Sequence, residues 1–319
     1  MMRPQLALVL IAVLPTAVMA DQEPAAVEPA KAAPSSNREL NGHVFAPSLF
    51  VIPPFRETTF QLGLLYGVGN ATGPTYDSSG NVTGTQDLSL AALAQTFNYE
   101  YRFLEWLSAG VTAVTLAYTG ITGASVVSIG AQVGIGVGAE VKLGHRFGPV
   151  ETALLLDVSY APQYGFLIAD AILRALRDHV LDPNAALETT HTLTLSPTLA
   201  AAWAPFPALG LTGNLGYVFK SVRLSGTDIL EQSAILFGVE ADFDFGKISS
   251  TPIGLLASYR LSDPVAGDFP RVQDISGGIS YTGRPELGLG LEIGSRRYYV
   301  RPGLLATATV AQIGLQYYW

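Results

Sequence analysis

Apolar and polar residues alternate with period two along most of the chain. In 233–246, Ile235, Phe237, Val239, Ala241, Phe243 and Phe245 alternate with Gly238, Glu240, Asp242 and Asp244. In 127–144, Ile129, Ala131, Val133, Ile135, Val137 and Val141 alternate with Gly130, Gly134, Gly136 and Gly138. Period two places successive side chains on opposite faces of a strand. The pattern predicts strands over 56–68, 90–104, 107–119, 127–144, 150–163, 190–204, 208–221, 233–246, 252–262, 272–283, 287–297 and 303–319.

One face of these strands is apolar and the other is polar or glycine, which a continuous soluble core does not tolerate. An apolar face in lipid around a polar interior accounts for it. The expected fold is all-β, a transmembrane antiparallel up-and-down β-barrel of about 12 strands. The connections agree. Those around 105, 145, 206, 249 and 285 are short, and the alternate ones, 69–88, 164–189, 222–232, 263–271 and 298–302, are mostly longer. Short periplasmic turns and long outer loops are the usual asymmetry, and an even strand count returns both barrel ends to the periplasmic side.

Composition narrows the reading. Hydrophobic residues make up 49% of the 319 and charged residues only 14%, with a mean hydropathy of +0.32. Beyond the N-terminus no apolar run is long enough for a transmembrane helix. The net charge of −8, without a basic patch, argues against nucleic acid as a partner. Zero cysteines removes disulfides, thiolate metal sites and lipid attachment through cysteine.

The two ends carry different signals. Met1-Met2-Arg3, an apolar run from Leu6 to Leu14 and Ala17-Val18-Met19-Ala20 predict a signal peptide over 1–20, cleaved near Ala20. Residues 21–43 begin with an aperiodic stretch rich in Ala, Pro and Glu, expected to be a disordered periplasmic lead to a barrel domain over 44–319. Within that domain, 44–55 is apolar but ends in Pro53-Pro54, which cannot continue a ladder. It either packs into the lower barrel or simply leads into the first strand. At the other end, Ala311, Ile313, Leu315, Tyr317 and Trp319 share one face. This alternating segment with a terminal aromatic resembles the C-terminal assembly signal of Gram-negative outer-membrane barrels. The resemblance implies the outer membrane as location, its lipid as solvent and the barrel-assembly machinery as a partner.

Aromatics gather near strand ends: Phe97, Tyr99, Tyr101, Phe103 and Trp106; Trp203 and Phe206; Phe243 and Phe245; Tyr317, Tyr318 and Trp319. Such rings belong at the membrane interface. Charge is costly in lipid, so charged residues on the strands belong inside. By parity Glu100, Arg102, Glu140, Lys142, Glu151, Asp157, Glu240, Asp242 and Asp244 point into the lumen, most of them near the short turns. Lys220, Arg260, Glu292 and Arg296 share that face and are expected higher up the wall. These charges form either a constriction that filters solutes or a lattice that stiffens a narrow barrel. The acid excess would mildly favour cations or polar neutral solutes. Inner-face glycines, with Gly63, Gly216, Gly238, Gly288 and Gly290 added to those of 127–144, serve wall curvature or make room for an inserted segment.

In the loop 164–189, Ile168, Ile172, Leu173, Leu176 and Val180 recur at helical spacing and predict a short helix over 167–181. Catalytic spacing is poor. His191 projects toward lipid near the outer rim without a serine beside it, and His43, His145 and His179 are scattered. No enzyme activity, cofactor or metal is expected.

The hairpin Tyr99-Glu100-Tyr101-Arg102-Phe103-Leu104-Glu105-Trp106-Leu107-Ser108-Ala109-Gly110-Val111 is similar to one in the phenol-degradation (MetA-type) outer-membrane family. Its form is a strand, a short turn carrying an acid, then Leu-x-x-Gly-Val. That resemblance, which covers one hairpin and the general layout, implies a channel for hydrophobic or aromatic compounds. The leading expectation is a passive outer-membrane channel for small solutes. The alternatives are a closed structural or surface-interaction barrel and, less favoured, an outer-membrane lipid hydrolase.

Overall fold

The computed structural model describes residues 38–48, 50–76, 82–122, 125–126, 130–166, 187–223, 229–266, 271–301 and 304–319. The predicted signal peptide, most of the lead and the predicted loop helix over 167–181 lie outside them. Twelve antiparallel strands close into a barrel. They are β3 (Thr59–Tyr76), β4 (Val82–Leu104), β5 (Leu107–Gly120), β6 (Ala131–Phe147), β7 (Val150–Phe166), β8 (Leu187–Phe206), β9 (Leu209–Arg223), β10 (Ile229–Asp244), β11 (Ile253–Ala266), β12 (Arg271–Tyr281), β13 (Leu287–Arg301) and β14 (Leu304–Tyr318). Each strand pairs with its sequence neighbours, and β14 closes on β3 through Tyr318 opposite Thr59 and Ala306 opposite Ala71. Every barrel strand therefore has a partner on both edges, as a sheet in hydrocarbon requires.

Parity sorts the faces as the alternation predicts. Leu64, Tyr66, Ile135, Leu154, Leu199, Leu215, Ile293 and Ile313 are exposed on the outer face. Glu100, Lys142, Glu151, Thr212, Glu240, Ser258, Asp274 and Glu292 are buried on the inner one. Large exposed apolar side chains outside and buried charges inside are what a sheet facing lipid requires. At the short-turn end, Tyr101, Phe103, Trp106, Phe147, Trp203, Phe206, Tyr317 and Trp319 form an exposed aromatic rim. The Trp319 ring lies 6.1 Å from Tyr99 and 5.7 Å from Tyr317. Phe243 and Phe245 are half-buried there, edge to face at 5.1 Å.

Three of the differences from the predicted strand ends have a local cause. Residues 72–76 and 82–88, expected in a loop, continue the β3–β4 pairing as a two-stranded ribbon. It projects past the point where β14 and β5 stop pairing. The strand expected to run to 246 ends at Asp244, whose Oδ1 accepts from Gly246 N at 2.9 Å and caps a single 3-10 turn, Phe245–Lys247. The first barrel strand starts at Thr59 and not at 56, because Arg56 and Glu57 belong to a different element.

That element is the segment 38–58. Residues 38–43, assigned by composition to the disordered lead, fold instead as a small hairpin of β1 (Glu39–Leu40) and β2 (His43–Val44). Asn41 (φ 48°) and Gly42 (φ 80°) take the left-handed backbone that such a two-residue turn needs. Leu40, Phe45 and Phe55 are buried together against Ala202 and Ala204 of β8, and Ile52 packs on Ala153, Leu155 and Ala200. These alanines face inward, so the segment lies inside the barrel at its short-turn end.

An outer-face position tests the lipid assignment. Leu199 is exposed and stands four residues from Trp203 of the rim. Leu199→Arg is expected to lower unfolding stability in liposomes by about 2–4 kcal/mol, and Leu199→Phe by much less. Denaturant titration of the reconstituted protein measures both.

Candidate functional site

The candidate site is the lumen, and the segment 38–58 lies within it at the short-turn end. Polar contacts to the wall fix it along its length. The Arg38 guanidinium donates from Nη1 to Phe45 O (2.5 Å) and from Nη2 to Pro285 O (2.6 Å), and stacks 4.1 Å over the Tyr318 ring. Its backbone N donates to Glu57 Oε1 at 2.8 Å, tying the two ends of the segment together. His43, fully buried, donates from Nδ1 to Pro207 O at 3.0 Å and sets Nε2 against the Asp242 carboxylate. Ser48 Oγ donates to Glu240 Oε2 at 2.6 Å and accepts from Val51 N at 2.9 Å.

Arg56 pairs with Glu151, which also takes Nε of Arg146 at 2.8 Å. Burial, then the charges of Arg146 and Arg102, draw the Arg56 guanidinium below its ordinary value, while Glu100 opposes the shift. Glycines admit the segment where it touches the wall. A Cβ on Gly210 would stand 2.5 Å from the His43 ring, one on Gly144 2.7 Å from the Arg56 guanidinium, and one on Gly288 2.9 Å from Pro47. Gly63, Gly216 and Gly238 instead face wall side chains, Gln312 and Thr96, Thr198, and Asn214 respectively. The inner glycines thus divide between the two expected roles.

The charges expected on the inner face lie on it, most of them in two groups. In the first, Lys142 Nζ binds Glu100 Oε2 at 2.8 Å and Glu140 Oε1 at 3.3 Å, and Ser108 Oγ donates to Glu100 Oε1 at 2.5 Å. Arg102 adjoins this group through its backbone N, which donates to Thr58 Oγ1 at 3.2 Å. Glu151, Glu240 and Asp242 are occupied by the segment, and Asp244 caps its turn. Glu292 was expected higher up. It is fully buried and accepts from Ser276 Oγ at 3.1 Å. That hydroxyl meets Ser258, the cross-strand partner of Glu240, so Glu292 belongs to this lower group. The second group is Arg260, Asp274 and Arg296, on adjacent strands β11, β12 and β13 in direct register. Asp157 of β7 stands opposite Glu140 across the β6–β7 pairing, and Lys220 is half-buried on β9.

Open space remains beside and above the segment. A cavity of about 270 Å³ runs along it, lined by Arg260 and Phe50 at one end and by Arg38, Glu57, Thr59 and Tyr318 at the other. A second, of about 340 Å³, lies over Gly134, Gly136 and Gly138, with Asp157 and Gln163. A third, of about 410 Å³, is lined by Leu65, Leu90, Ala92, Leu116, Tyr118, Ala306, Ala308, Val310 and Arg296. Leu116 borders both of the last two.

Sequence reasoning missed Arg38, His43 and Ser48 as lumen residues because they lie where no periodicity assigns a face, and Arg56 because the pattern places it in the first strand. The Asn41-Gly42 turn was the available signal. On the outer face, His191 shares a 2.7 Å hydrogen bond with Tyr160 Oη, and the two rings stack 6.0 Å apart. Among the described residues no group of three or more His, Cys, Asp or Glu is placed to hold a metal ion.

No protein-family model and no curated protein sequence matches the chain. Solved structures do. The translocator domain of the autotransporter NalP from Neisseria meningitidis is 9% identical, with a TM-score of 0.53 over 82% of this chain and 89% of that one. The transport unit of the autotransporter AIDA-I from Escherichia coli is 11% identical, TM-score 0.46, over 86% and 95%. The Ralstonia pickettii toluene transporter TbuX is 11% identical, TM-score 0.45, over 83% and 90%. The likeness to NalP is one of fold.

Removing the carboxylate that holds Arg56 should loosen the segment. Breaking one side of a buried ion pair costs about 3–5 kcal/mol. Glu151→Ala is therefore expected to speed amide exchange across residues 51–57 by about a hundredfold or more, read by hydrogen–deuterium exchange on the reconstituted barrel.

Proposed function

We propose that the chain is a passive channel for small solutes in the Gram-negative outer membrane, narrowed at its periplasmic end by its own segment 38–58. In this reading it is exported on a signal peptide cleaved near Ala20. The assembly machinery then recognises its C-terminal strand, and the short turns face the periplasm.

One observation carries the reading. The cavity beside the segment joins Arg260, in mid-lumen, to Thr59 and Tyr318 at the short-turn end. A wall that is merely stiffened has no need of such a space, and a mainly apolar cavity above it suits a small hydrophobic or aromatic solute. The closed-barrel alternative has its own support in the buried pairs Arg56 with Glu151 and Lys142 with Glu100, which lock segment and wall. On the channel reading those pairs set the width of the passage without sealing it.

Planar-bilayer recording on the full chain separates the two. The wild-type protein is expected to give small discrete conductance steps. Combining His43→Ala with Arg56→Ala, which frees both halves of the segment, should enlarge the steps or make them noisier. A wild-type protein that stays silent at every voltage, with a variant equally silent, would establish the closed barrel.

A further inference from the structure

His191, toward the long-loop end of β8, takes no part in the lumen. On the outer face its Nδ1 shares a 2.7 Å hydrogen bond with Tyr160 Oη of β7, and the two rings stack 6.0 Å apart. On its other side the direct ladder partner is Arg223 of β9, which is exposed. Directly paired residues share a face, with Cβ atoms about 5 Å apart. An imidazole and a guanidinium therefore stand side by side on the outside of the barrel. When the Tyr160 hydroxyl gives its proton to Nδ1, the neutral ring carries its own on Nε2. That nitrogen and the guanidinium then offer donors to a single anion. Glu231, exposed on β10 opposite Ser221, stands a diagonal step below Arg223 on the side away from His191. The place for an anion is thus between His191 and Arg223.

Height decides what reaches that place. Trp203, in the aromatic rim at the short-turn end, is twelve residues from His191 on the same strand. At about 3.3 Å per residue and a tilt of about 40°, that distance climbs about 30 Å along the barrel axis. The apolar band of such a barrel is about 25 Å tall, so the pair stands just above its far edge. Leu193, Leu195 and Phe219, exposed directly below on the same two strands, belong to the band. Acyl contacts below and a cation with a neighbouring imidazole above match a lipid with an anionic head. With the short turns in the periplasm, this edge meets the outer leaflet, whose lipids in a Gram-negative outer membrane are phosphorylated glycolipids.

We propose that Arg223 and His191, steadied by Tyr160, bind a phosphate monoester of an outer-leaflet glycolipid. Its acyl chains lie on Leu193, Leu195 and Phe219. The proposal does not depend on conduction and takes from the channel reading only its orientation, short turns to the periplasm.

Native mass spectrometry of the purified full chain in detergent tests it, with bisphosphorylated lipid A and the same lipid dephosphorylated as probes. Lipid A is expected to bind saturably and at least about tenfold more tightly than its dephosphorylated form. Arg223→Gln combined with His191→Gln should weaken lipid A about tenfold or more and level the two affinities. Arg284→Gln, which removes an exposed arginine at the short-turn end, should change neither. Retained heat-modifiable mobility in SDS gels shows that each variant still forms the barrel. Equal binding of the two lipids, undiminished lipid A binding by the folded double variant, or an equal loss in Arg284→Gln overturns the proposal. Orientation is read separately. The chain has no cysteine, so a membrane-impermeant maleimide labels Thr85→Cys, in the β3–β4 ribbon, on whole cells only if the long-loop end faces outward. Selective lipid A binding without labelling overturns the orientation, and labelling without selective binding overturns the proposal alone.

Discussion

Closure of the hydrogen-bonded ladder is the constraint from which the rest of the structure follows. A strand in hydrocarbon has no water for its backbone N–H and C=O groups, so an open sheet edge is prohibitively costly there. The pairing of β14 with β3 removes the last such edge. Closure then fixes the meaning of period two: each strand has one face in lipid and one in an enclosed interior. It also limits what the interior can hold. Charges turned inward sit among neighbours and must find partners, and any chain entering the lumen must satisfy its own backbone there.

The segment 38–58 meets both demands at once. Its apolar residues Leu40, Phe45, Ile52 and Phe55 cover inward-facing alanines and Leu155. Its polar residues His43, Ser48 and Arg56 answer wall acids that parity alone leaves without partners. The row Glu240, Asp242 and Asp244 looked in the sequence like a ladder of bare acids. It is half of an interface, whose other half lies nearly two hundred residues earlier in the chain. Tyr318 makes the same point, since its ring supports Arg38 from the last strand.

What was legible follows from what period two encodes. Alternation gives the face of every strand residue, so all twelve strands and the inward set from Glu100 to Arg296 could be read directly. It does not give height. In a closed barrel neighbouring strands are staggered by the shear, so the distance of a residue from its own turn does not set its level in the lumen. Glu292 illustrates this, joined through Ser276 and Ser258 to the level of Glu240. Nor does alternation report on chain that enters the lumen without joining the sheet. Residues 45–58 touch wall on several sides, so their buried positions follow no single period. Only the tight Asn41-Gly42 turn carries a local signature.

Pairing also changes how the inner charges are counted. Counted along the chain, the inner face carries an acid excess and should attract cations. Counted in space, the lower acids are largely spoken for. Glu100 and Glu140 share Lys142, Glu151 holds Arg56 and Arg146, and Asp242 faces His43. Arg260 and Arg296 share the Asp274 carboxylate. Apolar walls lower the local dielectric and strengthen such pairs. The electrostatics of such an interior therefore follow from how its charges pair in space and not from their sum along the chain.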